Sequence, residues 1–286
     1  MRSKLVETNG IHLNVIQEGP VDGDLIILLH GFPEFSYSWR KQIPALTAKG
    51  YRVWAPDQRG YNLSDKPEKI SAYSMDELAK DVIGLVDAAG VEQTYLVGHD
   101  WGASVAWWTA IKHPEKIKKM IVMNVPHGKV FKKHLKSNFR QLIRSWYMFF
   151  FQLPWLPELL ARRKNWRLPT HTLLGTSNKG TFKREEIHKY QTAWSQEKAY
   201  RSMLNWYRAM FQNPPSVPES ARVIVPTLLI WGENDGFLGK EMAQPSIDLC
   251  DNGKLWTVPD ATHWIHHEKP DEVNRLILDF FHEYNE

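Results

Sequence analysis

The sequence predicts an α/β protein, a mostly parallel sheet interrupted by a helical insertion. Three observations carry this. Continuous apolar runs, "DLIILLHG" (24–31), "YRVWAPD" (51–57) and "TYLVGHD" (94–100), have the character of strands buried on both faces. A helical pattern separates the second run from the third, and such alternation implies right-handed crossovers in a parallel sheet. From about His127 to Arg222 the alternation stops, and no convincing buried strand occurs until 223.

Taken in order, "KLVETNGIHLNVIQEG" reads as two short strands around Asn9-Gly10, the strongest hairpin dipeptide. In "SMDELAKDVIGLVDAAG" (74–90), Leu78, Val82, Leu85 and Val86 recur at helical spacing, and Ser74 with Glu77 predicts a capping box. "WGASVAWWTAIKHP" reads as the helix after the third run and "KMIVMNVP" (119–126) as the next strand. The insertion is punctuated by "LPWLPE" (153–158) and "QNPPSVPES" (212–220), and its helical pattern over 185–211 is expected to break near Ser195. Sheet character returns in "VIVPTLLIWGEND" (223–235) and "GKLWTVPD" (253–260). "PDEVNRLILDFFHEYN" (270–285) reads as a closing amphipathic helix with proline in its first turn. The expected organisation is a core over 1–127, a helical cap over 128–222, and the rest of the core over 223–286.

Composition narrows the function classes. Against 32 Asp+Glu, 36 Lys+Arg leave a net charge of +4 over 286 residues, too small to point to nucleic acid. The basic runs "KIKKM" (116–120), "KVFKKHLK" (129–136) and "ARRKNWR" (161–167) carry no nucleic-acid motif and read as solvated helix faces and loops. A single cysteine, Cys250, excludes an intrachain disulfide and a thiolate metal cluster and fits a reducing, cytoplasmic setting. No charged-then-apolar signal segment opens the chain and no run reaches membrane-spanning length, so a soluble protein without membrane insertion is expected. Oligomeric state is left open. Thirteen Trp, ten Tyr and twelve Phe could serve a core, an apolar ligand cavity, or both.

The chemistry centres on "GHDWGA". Gly98 and Gly102 flank Asp100 with the spacing of a nucleophile elbow, a sharp strand-to-helix turn usually built around serine. A model aspartate has a pKa of about 3.9 and needs no base to attack. Attack on an sp³ carbon bearing an epoxide oxygen or a halide would give an enzyme ester that activated water can cleave, whereas serine would give a stable ether. The second step needs a base and a group to orient it, in the chain order nucleophile, acid, histidine. Asp235 in "GENDGF" suits the acid, with Asp260 and Glu233 as rivals. His263 in "HWIHHEKP" suits the base, with His266 and His267 close by. No H-E-x-x-H or second ligand cluster accompanies them, so no metal or other cofactor is expected. In "HGFPEFSYSWR" (30–40), the backbone N–H of Phe32 is a candidate oxyanion donor, together with that of Trp101 after the nucleophile.

The chain resembles the epoxide hydrolases of the α/β-hydrolase fold over nearly its whole length. "HGFPEFSYSWR", "DQRGYNLSDKP" (57–67), "GHDWGA", "LNWYR" (204–208), "GENDGF" (232–237) and "HWIHHEKP" (263–270) are similar to family motifs in family order. The resemblance implies an eight-stranded, mostly parallel sheet with a helical cap after the sixth strand, and opening of an epoxide to a vicinal diol. It also implies two cap tyrosines on the epoxide oxygen: Tyr207 in "LNWYR", and Tyr147 by its spacing to Gln152 and Pro154, with Tyr190 and Tyr200 as alternatives. The substrate implied is a small apolar epoxide, with water as co-reactant. Trp39 and Phe150 are expected to shape the pocket with Phe32 and Trp101. Haloalkane dehalogenases share the elbow and are the alternative, less favoured because of "GFPE" and "LNWYR". Fluoroacetate dehalogenases carry arginine where this chain has Trp101, and a non-enzymatic binding module would have no use for an intact Asp100, Asp235 and His263.

Overall fold

A computed structural model describes residues 2–283 apart from 217 and 219. Eight strands form one sheet: β1 (Ser3–Thr8), β2 (Ile11–Glu18), β3 (Leu25–Leu29), β4 (Arg52–Pro56), β5 (Thr94–His99), β6 (Ile117–Met123), β7 (Thr227–Gly232) and β8 (Gly253–Val258), in spatial order β1-β2-β4-β3-β5-β6-β7-β8. The hairpin at Asn9-Gly10 forms as expected, with both turn residues at positive φ. β2 runs antiparallel to both neighbours, and β3 to β8 are parallel.

Each apolar run is buried on both faces because alternate side chains feed opposite cores. Leu25, Ile27 and Leu29 of β3 join one cluster with Leu96, Val122, Leu229 and Trp231. Ile26 and Leu28 join the other with Val53, Val97, Ile121 and Ile230, closed by Phe280 and Phe281 of the terminal helix Pro270–His282. Residues 284 and 285 of that expected helix lie outside the described residues.

Between β6 and β7, among the described residues, stand six helices: Gly128–Ser137, Phe139–Arg144, Trp146–Phe150, Leu156–Thr176, Arg184–Trp194 and Ala199–Gln212. The expected break near Ser195 separates the last two. Helix Leu156–Thr176 is interrupted at Arg163–Trp166, where Lys164, Asn165 and Trp166 take positive φ.

The capping box expected at Ser74 does not form. Ser74 is the N-cap of helix Met75–Ala88, but its side chain makes no cap bond. The Glu77 carboxylate turns instead to Asn9 and Lys80, at 3.0 and 2.7 Å.

Candidate active site

The core contributes its polar groups from the carboxyl ends of the parallel strands, where ligands of open α/β sheets bind. Asp100 follows β5 with φ 50° and ψ −123°, a conformation that L-residues rarely adopt. It is held there by close packing of strand and helix. A Cβ on Gly98 would lie 2.4 Å from the Gly102 carbonyl oxygen, and one on Gly102 would lie 2.1 Å from that of Leu29. Only glycine fits at either position. Gly31 faces Asp100 as closely, its notional Cβ falling 2.3 Å from that of Asp100.

The Asp100 carboxylate divides its oxygens. The Phe32 N–H donates to Oδ1 at 2.6 Å, while Oδ2 lies 3.4 Å from His263 Nε2. Trp101 opens helix Trp101–Lys112, so its N–H has no acceptor within the helix. The loop that carries Phe32 is pinned from behind: His30 Nε2 accepts from the Gln58 N–H at 3.0 Å, and the Gln58 side-chain amide donates to the His30 carbonyl at 2.6 Å.

His263 Nδ1 lies 2.7 Å from Asp235 Oδ2, and both residues are almost fully buried. Asp235 is fixed by four donors. The N–H groups of Phe237 and Leu238 reach Oδ1 at 2.7 and 3.0 Å, while the Asn124 amide, at 2.8 Å, shares Oδ2 with His263. Burial disfavours the His263 cation, but the charges of Asp235 and Asp100 more than offset it and push its pKa up to about 10. Burial pushes the Asp235 carboxyl up; the His263 charge and these hydrogen bonds outweigh it, so its pKa is lowered. The rivals face elsewhere: Asp260 pairs with Lys269 and Glu233 with Lys240, both toward solvent.

Behind the triad lies a buried cluster that the motifs did not reveal. Glu34 Oε1 accepts from Tyr190 at 2.9 Å and lies 2.6 Å from His267 Nε2, and Oε2 stands 3.4 Å from His99 Nδ1. His99 Nε2 donates to the His263 carbonyl at 2.8 Å, which ties the cluster to the loop carrying His263. Burial pushes Glu34 up but its histidine neighbours prevail and hold it well below the carboxylate range; burial drives His266 well down. Among the described residues, Glu34, His99 and His266 are the one group whose donor atoms, all within 4.8 Å of one another, could share an ion. His266 and His267 belong to this cluster rather than facing Asp100.

The insertion supplies the other side. Tyr147 of helix Trp146–Phe150 and Tyr207 of helix Ala199–Gln212 have ring centroids 6.0 Å apart. Tyr207 packs edge-on against Trp101 at 4.9 Å and Phe32 at 5.3 Å. Burial raises both phenol pKa values, and the Asp100 charge adds to it, so both stay protonated at neutral pH. Of the alternatives, Tyr190 spends its hydroxyl on Glu34, and Tyr200 packs with its ring tilted against Trp166 at 5.2 Å. A clasp joins the tyrosine-bearing segments. Arg208 donates to the carbonyls of Phe151 and Leu153 at 3.1 and 2.9 Å and pairs with Glu158 at 2.8 Å, while Gln152 donates to the Tyr207 carbonyl at 3.1 Å.

Two expected pocket residues stand elsewhere. Trp39 is completely buried in the cluster on the other face of the sheet, its ring 4.9 Å from His266. Phe150 pairs with Trp146 and Phe151, and it is Phe151 whose ring meets Phe32, Tyr147 and Tyr207 at 5.6, 5.7 and 5.0 Å. Phe237, 5.2 Å from His263 and 5.9 Å from Tyr147, closes the remaining side. A surface cavity of about 430 Å³ between Ala45 and His282 contains no member of the triad or the tyrosine pair.

Residues 24–270 match the family model described as the alpha/beta hydrolase fold. Among curated proteins, the chain is 44% identical to the AB hydrolase superfamily protein YfhM of Bacillus subtilis over 98% of each chain. It is 37% identical to human Epoxide hydrolase 4 over 97% of its own length and 78% of the relative's. The crystal structure of Bacillus megaterium epoxide hydrolase in complex with an inhibitor superposes with a TM-score of 0.86 at 30% identity, covering 98% of this chain and 100% of that one. An aspartate elbow, an Asp-His pair at the strand ends and a match of this extent agree: the chain is a hydrolase of the α/β-hydrolase fold and belongs to its epoxide hydrolase family.

Proposed function

We propose that the chain converts small apolar epoxides to vicinal diols through a covalent ester on Asp100, with residues 128–222 acting as the lid under which substrate binds, in the cytoplasm. The observation that carries the reading is the unequal setting of the two Asp100 oxygens. Oδ1 rests on the Phe32 N–H, while Oδ2 faces His263.

In this reading Oδ2 attacks a ring carbon as the carbon–oxygen bond of the epoxide breaks, and the alkoxide takes a proton from Tyr147 or Tyr207. A phenol suits this task because the alkoxide is far more basic. Esterification removes the Asp100 charge, one of the two that raise His263, and the phenolate left behind needs a proton. Both changes draw the proton from His263, which becomes a neutral base only once the ester exists. His263 then takes a proton from water, and the hydroxide adds to the Asp100 carbonyl carbon. The charge that develops on Oδ1 meets the N–H groups of Phe32 and Trp101, where loss of one such donor costs about 3 kcal/mol. Collapse frees the second diol oxygen, protonated by the new Asp100 carboxylic acid, so Asp100 ends ionised and His263 protonated as at the start. Phe32, Trp101, Phe151 and Phe237 form the apolar wall.

Turnover of matched aryl and alkyl epoxides and haloalkanes tests the reading. Diol formation from epoxides with no halide release is the expected result; halide release without diol would assign the dehalogenase reaction instead.

A further inference from the structure

The outer surface of the insertion between Gly128 and Leu168 combines two features that the catalytic reading leaves unused. The first is exposed apolar area. Phe139, Ile143 and Trp146 recur at helical spacing across two consecutive short helices and are 76, 55 and 63% exposed, and Trp155 is 68% exposed. Phe149 continues this face to Phe211 with ring centroids 5.5 Å apart. Single exposed apolar residues are ordinary on a protein surface, but five exposed Trp, Phe and Ile side chains between 139 and 155 are a concentration that is not.

The second feature is charge. From 128 to 157 the chain holds six Lys and Arg and no Asp or Glu. Lys132, Lys133, Lys136 and Arg140 are exposed. The first carboxylate, Glu158, is engaged in its ion pair with Arg208, and Arg162, Arg163, Lys164 and Arg167 follow, all exposed. Glu241 meets the edge of this face through Asn138. Exposed aromatic side chains interspersed along the chain with exposed cations are the composition of segments that lie in the headgroup layer of a bilayer. A second copy of the chain is a poor occupant, since a two-fold interface would set the same cations against one another.

We propose that this face docks on anionic phospholipid surfaces, with Trp146, Phe149 and Trp155 entering the headgroup region and the surrounding Lys and Arg neutralising lipid charge. No helix among the described residues is long and apolar enough to cross a membrane, so the contact is peripheral. Helix Trp146–Phe150 then faces two ways, with Tyr147 toward Tyr207 and Trp146 toward lipid. An apolar epoxide dissolved in the bilayer would meet the lid directly. That consequence rests on the epoxide reading; the docking does not.

Co-sedimentation of the full chain with vesicles tests this without any turnover. Binding to phosphatidylcholine vesicles containing phosphatidylglycerol, little binding to phosphatidylcholine alone, and loss of binding in about 0.5 M salt are expected. Replacing Lys132→Gln and Lys133→Gln together should weaken binding roughly thirtyfold. Trp146→Ser should weaken it as well, with far-UV circular dichroism and thermal unfolding confirming that both variants fold. Equal sedimentation with the two vesicle types, no sedimentation with either, or unchanged binding by both variants would overturn the proposal. So would self-association that Trp146→Ser abolishes in the absence of lipid.

Discussion

The two halves of the site are built by different physics. On the core side the groups are polar and individually fastened: Asp235 accepts four hydrogen bonds, and Asp100 is set by a strained turn and the Phe32 N–H. On the side of the insertion Tyr147 and Tyr207 are placed by rings packed against rings, and by one clasp through Arg208 and Gln152. Hydrogen bonds at strand ends fix a geometry to fractions of an ångström, whereas aromatic packing tolerates shifts and can accept substrates of varied shape. In the proposed mechanism the fixed half would serve the bond-making steps, which demand alignment, and the softer half substrate admission and proton donation.

The sharpest break in that contrast comes from removing the two tyrosine hydroxyls, the proposed proton donors, while leaving the ring packing. Tyr147→Phe and Tyr207→Phe keep the rings, so each should slow epoxide opening by about 10²-fold and the double variant by more, within the range of general acid catalysis. Stopped-flow tryptophan fluorescence in single turnover would read this, and unchanged rates would place the proton donor elsewhere. Next in size is the clasp. Glu158→Gln leaves the Arg208 guanidinium buried without its charge partner, which should cost about 3 kcal/mol of stability by denaturant unfolding. It should also slow alkylation more than ester hydrolysis, because only the tyrosines lose their placement.

Per pH unit, the smallest effect belongs to the core half. The folded-state pKa of His263, about 10, stands above its value of about 6.5 in an unfolded chain. Its protonation therefore contributes stability fully below pH about 6.5, and that contribution is lost as pH rises toward 10. The slope is at most about 1.4 kcal/mol per pH unit. Thermal melts across this window should flatten in His263→Gln; an identical slope would show that His263 is not held as a cation.

Legibility in the sequence followed the same division. β3 to β7 were readable because burial on both faces needs continuous apolar runs, and the elbow because its sterics admit glycine alone at 98 and 102. Asp235 and His263 followed from chain order and their places after strands, and the structure puts them 2.7 Å apart. Side-chain direction was not readable. Trp39 lies in a six-residue 3₁₀ helix, Ser36–Lys41, too short for its period to identify a face, and the structure turns it into the core. Phe150 and Phe151 are adjacent in a run of three phenylalanines at the end of a five-residue helix, so only tertiary contacts show which one faces Tyr207. Ser74 and Glu77 had capping-box spacing, but Asn9, distant in sequence, claims the glutamate. Glu34, His99 and Arg208 escaped notice for the same reason, since their partners lie on other segments and no local pattern marks them.

The most direct measurement is the intact mass of His263→Gln after mixing with excess epoxide, followed by peptide mapping. Without a base the ester should form and persist, giving a stoichiometric mass increase equal to one substrate, located on the peptide carrying Asp100. A folded variant that binds epoxide yet gains no mass, or gains it on another residue, would contradict the covalent role of Asp100.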